Sequence, residues 1–199
     1  MQAKQKTSAL AAAKVIRVVT VPPIMVAGML GILYGTRRTI FSGGWDLVLS
    51  LLFLAIAPAL AYPAQKLFPA YQDKGRDGQR KLAFLFSLGG YAAALVYGLA
   101  SGCSNALKLI FGTYFFSVVL LIVLNKGLRV KASGHSASIA GPLIFLCYVL
   151  GGAAILPCVV LYGLILWASV KLKRHTVPEF FWGTAASLLA FAGCLPIWM

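Results

Sequence analysis

Asn125-Lys126-Gly127-Leu128-Arg129-Val130-Lys131-Ala132-Ser133-Gly134-His135-Ser136-Ala137-Ser138 is a short cationic turn between two long apolar runs. It carries three cations, several hydroxyls, a glycine at position 134 and His135, one of 2 histidines in the chain. The run before it, residues 105–124, holds a single charge, Lys108, close enough to its start to snorkel to an interface. The run after it, residues 137–170, holds none. A basic turn between uncharged stretches of that length belongs to a chain that crosses a bilayer repeatedly. It decides the fold class: an all-α, polytopic transmembrane helical bundle.

Working outward, the run 137–170 is too long for one crossing, at about 1.5 Å per residue against a hydrocarbon core about 30 Å thick. Gly151-Gly152 near its centre marks the expected turn between two spans. Residues 18–35, 45–62, 82–100, 105–124 and 177–197 read as further spans, six to seven in all. Pro22 and Pro23 should kink the first span or make it begin late. Residues 1–17, basic and alanine-rich, read as a membrane-surface helix that is retained rather than removed as a signal. Residues 18–199 form one transmembrane domain. The apolar runs are continuous rather than alternating, which argues against a β-barrel.

The formal charge is +14, which in a soluble domain would suggest nucleic acid. Here the cations sit between spans, where membrane topology puts them, so membrane lipids or a phosphorylated substrate are the expected partners and no nucleic acid is. With all spans crossing, the N-terminus and the loops 63–81, 125–138 and 171–179 share one face. Of the 18 lysines and arginines, Arg37, Arg38 and Lys108 fall on the other face and fifteen on this one, which orients it towards the cytoplasm. The cysteines Cys103, Cys147, Cys158 and Cys194 lie in or beside apolar runs with no C-x-x-C pair, and read as small, reduced core residues.

The second histidine, His175, lies in Lys171-Leu172-Lys173-Arg174-His175-Thr176-Val177-Pro178-Glu179. The three loops therefore hold both histidines, most of the cations and Glu179. Two histidines among arginines and lysines is what phosphoryl transfer through a phosphohistidine needs. One imidazole attacks phosphorus, the other protonates the leaving oxygen, and cations hold the non-bridging oxygens. That chemistry requires no metal or other cofactor, and few carboxylates are at hand to hold magnesium. Other roles compete for the same residues. Glu179 completes Thr176-x-x-Glu with Pro178 in the first turn, a capping box. Ser136 or Ser138 can cap the fifth span. Arg129, Lys131, Lys171, Lys173 and Arg174 can serve as topology determinants alone.

Ala132-Ser133-Gly134-His135 resembles the second signature of the type 2 phosphatidic acid phosphatase superfamily, Pro-Ser-Gly-His. Arg174-His175-Thr176-Val177-Pro178-Glu179 resembles the end of its third, Ser-Arg-x5-His-x3-Asp. The resemblance covers roughly residues 74–183 and describes a divergent member. It implies that His175 is the nucleophile, His135 the general acid and Glu179 the group that orients His175. It implies further that Ser133 and the Gly134 backbone contact phosphate, with Lys74 and Lys81 at the first signature's cations, Arg80 or Arg76 as alternatives there, and Arg174, Lys173 or Arg129 as stand-ins for the third signature's arginine. Leu82 stands where the first signature has proline. Ala168 and Ser169 stand where the third has Ser-Arg, so that signature's arginine is missing. The expected function is an integral membrane phosphatase acting on a lipid phosphate or a prenyl or polyprenyl (di)phosphate. The alternative is a catalytically degenerate relative that binds lipid or serves as a subunit of a membrane complex; a homo-oligomer also fits.

Overall fold

The computed structural model describes residues 2–199, with side chains from Ser8 onward apart from Arg76. Among these residues every regular element is helical. Helix α1 (Gln2–Val19) and helix α2 (Pro22–Thr36) form a broken pair bent by 57°. The break falls where two prolines, which lack an N–H, occupy the first positions of α2. Helix α3 (Gly44–Leu67) contains a π turn at Leu52–Ile56. Helices α4 (Gly75–Ala100) and α5 (Asn105–Gly127) follow, α5 closing in a second π turn at Val123–Gly127. Helices α6 (Gly134–Leu150) and α7 (Gly152–Lys171) form a hairpin about Gly151. Gly151 has φ +68, a left-handed conformation glycine adopts without steric cost. Helix α8 (Val177–Trp198) ends the chain.

This is a multi-pass helical membrane bundle. Helices α3, α4, α5, α7 and α8 are long and apolar enough to cross a membrane, and the α1–α2 pair adds a sixth crossing if it acts as one. The 17 residues of α6 and the 15 of α2 fall short of the roughly 20 a crossing takes, which separates this architecture from seven uniform spans. The polar loop after α3 is also shorter than the expected 63–81. Helix α4 starts at Gly75, because Arg80, Lys81 and their polar neighbours continue the helix beyond its apolar part.

Helix α5 is the centre of the bundle: Leu107, Ile110, Phe111 and Tyr114 are buried, and α4, α6 and α8 pack around it. A second apolar cluster joins Ile139 and Leu143 of α6 to Ile165 of α7 and Phe180 of α8. At one end of the bundle, buried Asp46 accepts hydrogen bonds from the Tyr97 hydroxyl (2.6 Å) and the Ser42 N–H (2.7 Å), tying α3, α4 and the turn after α2 together.

At the opposite end, α6 and α8 meet backbone to backbone. The Ser133 N–H donates to the Glu179 carbonyl (2.9 Å), and the Ser187 hydroxyl donates to the Ala137 carbonyl (2.8 Å). The seam closes on Gly183: the Ser133 carbonyl and the Ser136 hydroxyl occupy the space a side chain there would need. Gly183→Ala should therefore destabilise the protein by about 1–3 kcal/mol, the usual cost of overpacking. Gly163→Ala on α7, which meets open space, should leave stability unchanged or slightly raised. Thermal unfolding of the two variants in detergent checks the contrast.

Candidate functional site

Both cationic loops leave their helices through a left-handed residue that is not glycine. At the end of α7, Lys173 (φ +51) sits in a Schellman turn: its N–H donates to the Val170 carbonyl (2.9 Å) and the Arg174 N–H to the Ser169 carbonyl (3.0 Å). At the end of α5, Arg129 (φ +55) follows the π turn, with the Val130 N–H on the Leu124 carbonyl (2.9 Å). Asn125 then clamps the returning strand of chain. Its side-chain amide donates to the Ala132 carbonyl (3.1 Å) and its oxygen accepts from the Ala132 N–H (3.2 Å). These reversals aim the two histidines at each other across the α6–α8 seam.

The imidazoles of His135 and His175 lie 6.2 Å apart between ring centroids and within 15° of parallel. Both line a cavity of about 310 Å³ that runs from this pair between α4, α5 and α6. His135 is the first side chain of α6, whose N-cap is Ser133: its hydroxyl accepts from the Ser136 N–H (3.2 Å). The cap is thus Ser133 rather than Ser136 or Ser138, because the helix begins at Gly134. His135 Nε2 is buried with no hydrogen-bond partner among the described residues. His175 Nδ1 lies 3.6 Å from Glu179 Oε2, a charge contact that favours the proton on Nδ1 and leaves the Nε2 lone pair free. Glu179 is held by the capping box, accepting the Thr176 N–H at 3.1 Å while its own N–H donates to the Thr176 hydroxyl. Capping and contact with His175 coexist in one carboxylate.

Of the expected phosphate-binding groups, Arg80, Arg174 and Gly134 line the cavity. Ser133 does not; it is 1% exposed and its hydroxyl is committed to the cap. Lys74 and Lys81 are exposed and stand apart from the cavity. The Lys74 amine lies 5.7 Å from the Tyr71 ring centroid. On α4 the cavity is lined by Gln79, Arg80, Ala83 and Phe84, and Lys81 falls outside that face. Arg129, Lys131, Lys171 and Lys173 are exposed and outside the lining.

One residue that inspection of the sequence passed over is Arg17. Helix α1 packs along α7, and Arg17 lines the cavity with a guanidinium nitrogen 3.5 Å from the Ser169 hydroxyl. Ser169 is the position that the resemblance sets against the third signature's arginine. A guanidinium therefore reaches that place from a different helix. No local pattern marks Arg17 in the sequence; its position follows from the 57° bend before Pro22 and the packing of α1 on α7. Among the described residues no three His, Cys, Asp or Glu side chains cluster as metal ligands would.

Burial and the positive charge of Arg17 hold His135 down at about 3, with His175 adding to the effect. Burial and Arg17 also lower His175, while Glu179 opposes them. Both rings are neutral near pH 7 and face arginines, an arrangement that receives an anion and supplies a nitrogen lone pair. Comparison of the chain with protein-family models, with curated proteins and with solved structures finds no match in any of the three.

A folded-state value below the ordinary imidazole value means that the unfolded chain binds more protons between the two. Stability is then fully present above about 6.5 and falls as the pH drops towards 3. The melting temperature of the wild type should decline below pH 6.5. His135→Gln should flatten that decline, measured by thermal unfolding between pH 7.5 and 5.

Proposed function

We propose that this protein is an integral membrane phosphatase that hydrolyses lipid-linked phosphates or diphosphates through a phosphohistidine on His175. The observation that carries this reading is the near-parallel pair of imidazoles, 6.2 Å apart, opening into one cavity with Arg17, Arg80 and Arg174. In-line displacement needs a nucleophile and a proton donor on opposite sides of phosphorus.

In the first step the Nε2 lone pair of His175 forms the N–P bond and the P–O bond to the leaving group breaks. His135 gives its proton to the leaving oxygen. His135 is neutral in the empty site, so the proton arrives with the substrate: a phosphate ester whose second pKa is about 6 carries one in roughly a tenth of molecules at pH 7 and in more below it, and its negative charge raises the imidazole's affinity for it. In the second step water attacks phosphorus, His135 takes its proton, the N–P bond breaks and inorganic phosphate departs. Arg17, Arg80 and Arg174 hold the non-bridging oxygens while charge builds on them. Glu179 keeps the His175 tautomer and stabilises the ring as it becomes positive.

The excess of cations on the histidine-bearing loops favours a cytoplasmic site, and hence a lipid made on that side. The competing reading, a degenerate relative that binds lipid or serves as a subunit of a membrane complex, rests on the missing signature arginine. Arg17 beside Ser169 weighs against it.

Phosphate release by the purified protein from lipid phosphates tests the proposal. His175→Gln should lower the rate more than about a thousand-fold, as loss of a nucleophile does. His135→Gln should lower it by about 10²–10⁴. Arg17→Gln should cost about 10²–10³, with Arg17→Lys recovering part because charge returns without the planar fork. Brief incubation with ³²P-labelled substrate should leave acid-labile, alkali-stable label on His175. Full activity in His175→Gln would remove the proposed nucleophile, and no turnover together with stable co-purification in a larger assembly would favour the non-catalytic reading.

A further inference from the structure

Arg17 is carried into the cleft by a helix that the bundle holds lightly. Helix α1 packs on α7. Of its residues from Ser8 onward, Ala13 alone is fully buried, and Ala9, Ile16 and Arg17 are half-buried. Ile16 reaches the apolar cluster of Ile165 and Phe180. Two alanines and an isoleucine are a small apolar anchor for a helix of 18 residues. The link to α2 adds little. The 57° bend falls before Pro22 and Pro23, neither of which has an N–H to donate, so the helical ladder stops there. Thr20 closes α1 instead, with its N–H and its hydroxyl both on the Ile16 carbonyl (3.0 and 2.6 Å).

The opposite side of α1 is built for the membrane surface. Leu10, Lys14, Val15, Val18 and Val19 are exposed and, at about 100° per residue, cover one half of the helix circumference. The helix holds Lys4, Lys6, Lys14 and Arg17 and no carboxylate. Such a helix lies in a membrane interface with its apolar side chains at the acyl boundary and its lysines reaching the headgroups. Apolar side chains alone accept any lipid; cations without a counter-charge select anionic headgroups. We infer that α1 is a clasp operated by anionic lipid: negative headgroups at the membrane surface hold its lysine-bearing outer side, and that grip keeps Arg17 in the cleft. A surface without negative charge releases α1 to swing about the break at Val21 and Pro22, and Arg17 leaves with it. The effect on rate rests on the phosphatase reading; the movement of α1 does not.

The test places full-length Ala13→Cys in nanodiscs of phosphatidylglycerol or of phosphatidylcholine and follows its reaction with a water-soluble maleimide, the wild type giving the background of the 4 native cysteines. Labelling should be at least about ten-fold slower in phosphatidylglycerol, because three lysines near an anionic surface each add to the grip. Replacing them together, Lys4→Gln, Lys6→Gln and Lys14→Gln, should raise that rate to the phosphatidylcholine value. Equal rates in the two lipids, or a difference that the triple variant leaves in place, would overturn the inference. Should Ala13→Cys not fold, the near-isosteric Ser169→Cys gives the same reading, since Ser169 is buried beside Arg17 and outside the cavity lining. For the rate, p-nitrophenyl phosphate avoids the partitioning of a lipid substrate. The ratio of wild-type to Arg17→Gln activity should be several-fold higher in phosphatidylglycerol. A ratio that does not change with the lipid overturns the claim that α1 controls Arg17. Lipid-dependent labelling without turnover of any phosphate ester leaves the clasp standing and removes the phosphatase reading alone.

Discussion

The arrangement depends on one close approach. Helix α8 comes against the start of α6 at Gly183, near enough that the Ser133 carbonyl and Ser136 hydroxyl fill the place of a side chain. Two backbone-directed hydrogen bonds, Ser133 to Glu179 and Ser187 to Ala137, fix the register of that seam. His135 stands two residues after one anchor and His175 four residues before another, so the seam determines where both rings lie. In a low-dielectric setting unpaired backbone groups are costly. The seam is thus stable because its polar groups are satisfied, and the histidines take their geometry from it.

Electrostatics then prepares the pair for an anion. The bundle carries a large positive charge. At the site, burial and the arginines keep both imidazoles uncharged. A neutral ring facing cations has a free lone pair and no competing carboxylate in the cleft; the nearby one, Glu179, is held by the Thr176 backbone. Arriving negative charge would reverse the balance and draw a proton onto His135. The same arginines that suppress protonation of the empty site are those suited to hold the phosphate that restores it.

What the amino-acid pattern reveals here is what is local. Long uncharged runs announce the helices, Gly151 announces the hairpin, and Thr176-x-x-Glu179 announces the start of α8, because each depends on neighbours in the chain. The two histidines stand out by being the only ones and by lying in cationic turns. The remainder is tertiary. Arg17 reaches the cleft because α1 bends by 57° at Pro22 and packs on α7, which no periodicity encodes. Lys74 and Lys81 share a charged stretch with Arg80, but the phase of α4 decides that Arg80 faces the cavity. Ser133 caps α6 instead of facing the cavity because the helix begins at Gly134, earlier than a cap at Ser136 or Ser138 would place it. The hydroxyls of Thr113 and Tyr114 read as ordinary members of an apolar span until three helices enclose them around one space.

The central claim is that His135 and His175 share one anion between them, with Arg17 upon it. An experimental structure of the protein with orthovanadate, a mimic of phosphorus in displacement, tests it most directly. The account predicts vanadium between the two rings, within bonding distance of His175 Nε2, with its oxygens against the Arg17 guanidinium. Vanadate bound elsewhere, or imidazoles too far apart to touch a single anion, would contradict it.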